Sequence, residues 1–533
     1  MTTDILVIGS GAAGLTAALE SKRDNIRVIV VSKCYPTNSQ TCQAQGGINA
    51  VLETTEDDSI EKFIEDTFIA SKGIASKSSI KKMCESSKDI ITWLDDIAVP
   101  FSRDEQNSIA QRKFGGTKAK RTCYSSDYTG LKILHTLYDQ CIKNKIEFLN
   151  EYFLLDFIKE DENIYGAVFL DIKTLEIIKI YAKSVILASG GYAGIYENNT
   201  TNSSFTTSEA LVKIYKNGAT LSNLEFVQFH PTAIEGSNTL ISESARAEGG
   251  FLVDEKGNRF IDELKPRDEV SRAISEKLLK NEKVFLDLRH LDEKLIDELL
   301  PQEKQLAKTF KDIDISKELL PIVSAAHYSM GGVLCDENAK TSLKNLFVCG
   351  ECAQGNIHGA NRLGGNSLLE VIYLAKKAGN SAFQNLQRVT IKEDIKTVDF
   401  EKSIENILSN ENIINVSKEK KEFGEKLFKS LGVFKDETSM KTLLSYLEEL
   451  EQRLKVSTIE DKSRVYNKSF IELLEFKESV YMAKLITKCA LERKESRGAH
   501  FRSDFKEQKE EFEKISIVKY EKEQDIISYE DAV

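Results

Sequence analysis

Histidine is scarce in this chain, six in 533 residues, so where each one falls is informative. Four stand in segments broken by glycine or proline: Phe229-His230-Pro231-Thr232, His327-Tyr328-Ser329-Met330-Gly331-Gly332, His358-Gly359-Ala360-Asn361-Arg362 and Ser496-Arg497-Gly498-Ala499-His500. His135 and His290 have ordinary helix or loop contexts and read as structural. Arg246, Arg267 and Arg362 also lie near glycine or proline. A guanidinium is a planar fork that grips a carboxylate bidentately and stays charged at any working pH. Any one of these arginines alone reads as a surface ion pair. Several together, interleaved with loop histidines, point to a pocket for a dicarboxylate. Glu243-x-x-Arg246 sets acid and base one helical turn apart, which is either a simple helix pair or a proton relay. No His-x-x-x-His pair suggests a metal. Cys349-x-x-Cys352 lacks the second pair that zinc or iron–sulfur sites need, so it reads as structural and no metal is expected.

These side chains need a scaffold, and the first stretch of the chain supplies its anchor. Ile5, Leu6, Val7 and Ile8 run into Gly9-Ser10-Gly11-Ala12-Ala13-Gly14, after which apolar residues recur at helical spacing. That is a buried parallel strand, a glycine turn and a helix whose N-terminus faces the turn, the setting in which GxGxxG marks a dinucleotide site. Gly9 permits the turn, Gly11 lets backbone approach phosphate, and Gly14 lets helix pack on strand. Ala12 and Ala13 lie between them. A second strand, Val28–Ser32, follows at βαβ spacing. Ser32 and Lys33 stand where many such folds place a ribose-binding acid, which argues against an ordinary NAD site. The polar loop that follows, with Ser39, Gln40, Thr41, Gln45, Gly46 and Gly47, falls beside the cofactor.

Further on, residues 57–97 read as helices with Trp93, Leu94 and Ile97 in the core, and another helix runs from Gly130. Phe148–Lys159, Gly166–Ile172 and Glu176–Ala182 read as antiparallel strands. Val185–Leu187 reads as an apolar strand ending at Ala188, Gly190 and Gly191, and Leu346–Gly350 as another ending at Glu351. A helix follows from about Ser367. The class is α/β. One cofactor domain is built from residues 1–232 and 346–400, with 233–345 inserted and a helical region over 401–533. There Leu443, Leu447, Leu450 and Leu454 share a face.

A chain of 533 residues exceeds one core and implies two to four domains. Net charge is −11 without a Lys/Arg-rich block, which disfavours nucleic acid and anionic membrane surfaces as partners. No apolar run has the length of a membrane span, so direct membrane insertion is not expected. Nine scattered cysteines suit reduced thiols in the cytoplasm. A cytosolic protein, or the soluble arm of a membrane-attached complex, fits.

Together these motifs resemble the flavoprotein subunits of succinate dehydrogenase and fumarate reductase, and their relative L-aspartate oxidase. The resemblance rests on Gly9–Gly14, Ala44–Gly47, Glu225–Thr232, Glu243–Gly250, Pro266-Arg267-Asp268, His327–Gly332, Gly350-Glu351 and His358–Leu369, and resumes over Glu492–Asp504. It implies FAD in a split Rossmann-like domain, with an inserted α+β capping domain that closes over substrate. It places Arg267 as proton donor fed by Glu243 and Arg246. His230, Ser242, His327 and Arg362 hold the two carboxylates, with Gln228 and Phe114 alongside. Arg362, Asn366, Ser367 and Leu368 join the cofactor contacts. The implied reaction is hydride transfer between FAD and one carbon of fumarate or succinate, with a proton exchanged at the neighbouring carbon. The implied partners are an iron–sulfur subunit and a membrane-associated or quinone-reactive subunit, and the implied location is cytoplasmic, peripheral on the membrane.

Three positions depart from or divide the family. Many members bond FAD covalently through a histidine in a Ser-His-Thr pattern. Here Ser39-Gln40-Thr41 forbids that link, so FAD is expected noncovalent and of lower potential, favouring fumarate reduction. Thr207-Ser208-Glu209 stands where the family has Thr-Gly-Asp. Phe114 stands where aspartate oxidases place a glutamate for the substrate ammonium, which weighs against that alternative. The presence of Arg267 and His230 weighs against a scaffold subunit without catalysis.

Overall fold

The computed structural model describes residues 1–52 and 57–532. Its central sheet is built on the expected N-terminal strand, Thr2–Ile8, which pairs in parallel with Val28–Ser32 on one side and with Ile177–Leu187 on the other. Residues Ile5–Val7 are fully buried, as a strand covered on both faces requires.

Two strand readings are corrected here. Phe148–Lys159 is not one strand: Glu147–Asn150 extends the parallel edge beside Val28–Ser32, and Tyr152–Glu160 turns away into an antiparallel ribbon. The corner is Glu151, in the left-handed region at φ 67°. Likewise Glu176–Ala182 and Val185–Leu187 form a single strand, Ile177–Leu187. Its first part pairs antiparallel with Asn163–Asp171 and its last part in parallel with Leu346–Val348. Both glycine-ended strands thus deliver their C-terminal ends beside Gly9. The helix expected near Ser367 runs Asn366–Asn385 and packs on Ala12–Ser21.

The insertion is a separate layer, the cap. Its sheet has the order Val227–Ile234, Leu320–Ser329, Val284–Asp287, Phe251–Asp254, all antiparallel. The first strand runs through residue 232. The cap has its own apolar core, including Ile241, Leu252, Val270, Ile274, Leu286 and Ile322. Burial of each such side chain contributes roughly 1.5–3 kcal/mol, which gives the layer cohesion of its own.

Beyond residue 400 the chain is helical, through Phe400–Ser409, Val416–Leu431, Glu437–Lys455 and Lys468–Glu492. Leu443, Leu447, Leu450 and Leu454 are all buried. The region ends in a hairpin, Ile515–Glu521 with Gln524–Glu530, whose first strand joins Leu221–Ser222 of the cofactor domain. Among the described residues no helix is long and apolar enough to cross a membrane.

Candidate functional site

The glycine turn behaves as its spacing predicts. Gly9 lies at φ 113°, and a Cβ there would sit 2.2 Å from the Ala188 carbonyl oxygen. A Cβ on Gly14 would lie 1.9 Å from the Gly9 carbonyl oxygen, so strand and helix touch only because both residues lack side chains. The helix Ala12–Ser21 carries no side-chain cap and no acid in its first turn, leaving its positive end to the cleft. The Ala12 N–H donates to the Thr41 hydroxyl at 3.1 Å.

One cleft of about 1560 Å³, counting its mouth, runs from this turn to the cap. The cofactor side is lined by Gly9, Gly11, Ala12, Ala13, Ser32, Lys33, Ser39, Gln40, Thr41, Gln45, Gly46, Gly47, Ala188, Gly190, Glu351, Ser367 and Leu368. Ser10 and Ser39 hydroxyls and the Gln45 amide oxygen are buried there without a hydrogen-bond partner among the described residues. An elongated cleft with a helix N-terminus at one end and orphaned polar atoms along it fits a dinucleotide. Gly14 and Gly191 lie behind the lining and act through packing. Asn366 is a correction. Its amide accepts from Asn49 at 2.7 Å and donates to Thr67 at 3.0 Å, so it braces the loop rather than facing the cleft.

Lys33 is occupied too. Its ammonium lies 2.7 Å from Glu209 and 2.8 Å from Glu475 on Lys468–Glu492, and the Thr207 hydroxyl bonds both Lys33 and Glu209. Burial opposes the charge on Lys33, but the two carboxylates raise its pKa. The unusual Thr207-Ser208-Glu209 is therefore part of an ion cluster that ties the C-terminal domain to the cleft.

At the other end the cap brings the chemistry-bearing residues together. Ser242 accepts from the Ser244 N–H and starts the short helix Glu243–Ala247, while Pro266 leads into Arg267–Leu279. Arg267 donates to the Glu243 carboxylate at 2.8 Å from Nε and 2.7 Å from Nη2. Glu243 also accepts from the Gly115 N–H at 2.8 Å, and Arg246 lies 4.0 Å away. Burial would raise the Glu243 carboxyl, but the two arginines and Gly115 hold it below its usual value. Glu243 thus faces Arg267 as well as Arg246 of its own helix. Arg246 sits behind the cleft wall, with Nε and Nη2 unpartnered among the described residues.

His230 and His327 approach with ring centroids 4.9 Å apart. His230 Nε2 meets the Thr232 hydroxyl and the Ile241 carbonyl, both at 3.0 Å, leaving buried Nδ1 without a hydrogen-bond partner among the described residues. His327 Nδ1 is 2.7 Å from the Thr201 hydroxyl. Burial first, then Arg267, pushes both histidines well below the ordinary histidine range, so both are neutral. Arg362 lies over the Tyr328 ring at 4.3 Å. Burial and Arg267 lower its pKa to about 10, still charged near neutrality. Ser242 and Phe114 complete the wall, Phe114 only 2% exposed.

The other two loop histidines are elsewhere. His358 is buried against Tyr328, and burial lowers it to about 3. His500 packs on Phe226. His135 is exposed, and His290 stacks on Phe251 at 4.1 Å. Cys349 and Cys352 are buried free thiols. The sequence reading missed Thr201, which orients His327, and Glu475, whose helix carries no motif. It also missed the contact of the buried acid Asp127 with Gln302 and Glu303.

Comparison with known proteins gives a consistent result. Residues 4–368 match the family model described as FAD binding domain, and residues 420–533 match that described as fumarate reductase flavoprotein C-term. The chain is 33% identical to the fumarate reductase flavoprotein subunit of Haemophilus influenzae, over 95% of this chain and 90% of that one. It is 35% identical to the succinate dehydrogenase flavoprotein subunit of Coxiella burnetii, over 95% and 92%. A solved quinol–fumarate reductase with menaquinol molecules superposes with TM-score 0.95 at 31% identity, over 100% of this chain and 98% of that one.

Proposed function

The chain belongs to the family of fumarate reductase and succinate dehydrogenase flavoprotein subunits, FAD-dependent oxidoreductases, and on that footing we propose that it interconverts fumarate and succinate, with fumarate reduction the favoured direction. One observation carries the substrate class. Arg267 and Arg362 line the cap end of the cleft with Arg246 behind them, against the carboxylates of Glu243 and Glu351, the latter pushed up to about 7 by burial. That excess of positive charge, beside two neutral histidines, suits a dianion. The Phe114 ring offers no acceptor to an ammonium group, which supports fumarate over L-aspartate.

FAD, when bound, exchanges hydride with one substrate carbon. His230, His327, Ser242 and Arg362 hold the carboxylates, and Arg267 delivers the proton to the neighbouring carbon. Glu243 orients Arg267 and returns its proton from Arg246. An arginine is a poor acid in water, so the role depends on the relay through Glu243. Gln40 lines the cleft, and its amide oxygen accepts from the Ser203 N–H at 2.7 Å. It has no imidazole to bond FAD, so the cofactor is noncovalent and its potential low. Acid precipitation should release all the flavin to the supernatant.

Electrons reach the site from an iron–sulfur partner. A membrane-associated or quinone-reactive subunit then holds the assembly at the cytoplasmic membrane. The test is anaerobic, on the purified FAD-loaded chain. Fast oxidation of reduced dye by fumarate, with no flavin bleaching by L-aspartate, is expected. Bleaching by L-aspartate, with colour restored by oxygen, would overturn the reading in favour of an aspartate oxidase.

A further inference from the structure

The roles given above to Arg267 and Arg362 leave open what keeps two like charges at a fixed separation across a domain boundary. Arg267 belongs to the cap and Arg362 to the cofactor domain. Between them lies Gln228, on the first cap strand, fully buried. The strand's register shifts between Gln228 and Phe229, a local irregularity of the kind that re-aims a side chain.

Every hydrogen-bonding site of the Gln228 amide is used. Its oxygen accepts from Arg267 Nη1 at 3.3 Å and from Arg362 Nη2 at 3.2 Å. Its nitrogen donates to the Asn361 side-chain oxygen and to the Arg362 carbonyl, both at 2.8 Å. Asn361 in turn donates to Asp268 at 3.2 Å, the residue next to Arg267. The bonds close into a ring that crosses from cap to cofactor domain and back.

We propose that Gln228 is a positioning residue that sets the spacing of Arg267 and Arg362 and ties that spacing to closure of the cap. The inference rests on the catalytic reading above and deepens it. The residue type matters. A carboxylate between two guanidiniums would bind both and cancel the charge the substrate needs. An amide oxygen accepts from both and cancels none, and its N–H groups reach the cofactor-domain loop, as no carboxylate can. The ring forms only when the start of the helix Arg267–Leu279 meets the loop Asn361–Arg362, so the proton donor takes its place as the cap closes.

The test uses three variants of the full FAD-loaded chain, Gln228→Leu, Gln228→Glu and Asn361→Leu, each checked for flavin content and melting temperature. Gln228→Leu should lower kcat for fumarate about 100-fold, the usual consequence of a misplacement near 1 Å, with a smaller change in KM. Gln228→Glu should act mainly on binding, raising KM for fumarate and Kd for malonate about 10-fold or more. Asn361→Leu should also lower kcat. Combined with Gln228→Leu it should cost little extra, because both open the same ring. A Gln228→Leu enzyme within threefold of wild-type kcat, or full additivity of the two leucine variants, would overturn the proposal. Equal effects of leucine and glutamate on KM would overturn it too. Should the wild-type chain not reduce fumarate at all, the functional reading fails instead, and the two failures are told apart.

Discussion

The cap meets the cofactor domain along two seams of opposite charge balance. At the cleft, three guanidiniums face two carboxylates, Glu243 and the buried Glu351. At the second seam the proportions reverse: Arg112 faces Asp127, Glu303 and Glu248, with Tyr124 and Tyr128 nearby. Here Asp127 of the cofactor domain accepts from the N–H groups of Gln302 and Glu303, at 2.7 and 3.1 Å. It thereby caps the cap helix Pro301–Lys311, which has no side-chain cap of its own. Glu303 is fully buried, and neither carboxyl oxygen finds a hydrogen-bond partner among the described residues. Burial first, then Asp127, pushes its pKa well above the ordinary carboxylate range, against a smaller pull from Arg112. The seam that opens to a ligand keeps its surplus charge for that ligand. In the sealed seam, burial and Asp127 push Glu303 toward its protonated form.

Breaking the first seam should have the largest effect. Arg267→Ala is expected to reduce fumarate turnover about 10⁴-fold, the upper range for a positioned proton donor, while flavin content stays normal. Substantial residual fumarate reduction would remove Arg267 from its role.

The second seam predicts a pH effect with a definite sign. Between the ordinary carboxylate pKa and the raised pKa of Glu303, the folded chain holds a proton that the unfolded chain has lost. Stability contributed by this group therefore falls as pH rises through that window, by at most about 1.4 kcal/mol per pH unit. Denaturant titrations from pH 5 to pH 8 should show Glu303→Gln gaining on wild type as pH rises, with little difference at the acid end. A parallel pair of curves would show that Glu303 is ionised throughout. The smallest effect is expected from Asp127→Ala. It removes one helix cap, worth about 1 kcal/mol, and should leave kcat for fumarate within a few-fold of wild type. A loss of several kcal/mol would mean that the seam is held by more than the cap.

The contrast between the seams also explains what could be read from the sequence. The glycine turn was legible because strand, turn and helix are contiguous, and backbone geometry alone demands glycine at Gly9 and Gly14. The residues of the catalytic seam were legible through their motifs, though spacing alone left Glu243 between helix pair and relay. The contact of Asp127 with Glu303 gave no signal, because the two lie 176 residues apart. The pairing of Lys33 with Glu475 was hidden for the same reason, the two lying 442 residues apart. Asn366 misled because an amide near a cofactor motif has many possible partners, and packing chose Asn49 and Thr67. The C-terminal hairpin went unseen beside the stronger helical pattern before it.

The dianion preference proposed for the guanidinium-rich cleft is tested most directly by equilibrium binding of malonate and acetate to the FAD-loaded chain, followed by the change in flavin absorbance. Malonate should bind at least about 100-fold more tightly than acetate, in line with a second charge-assisted carboxylate contact, and fumarate should displace it. Malonate binding no tighter than acetate would contradict the account at its centre.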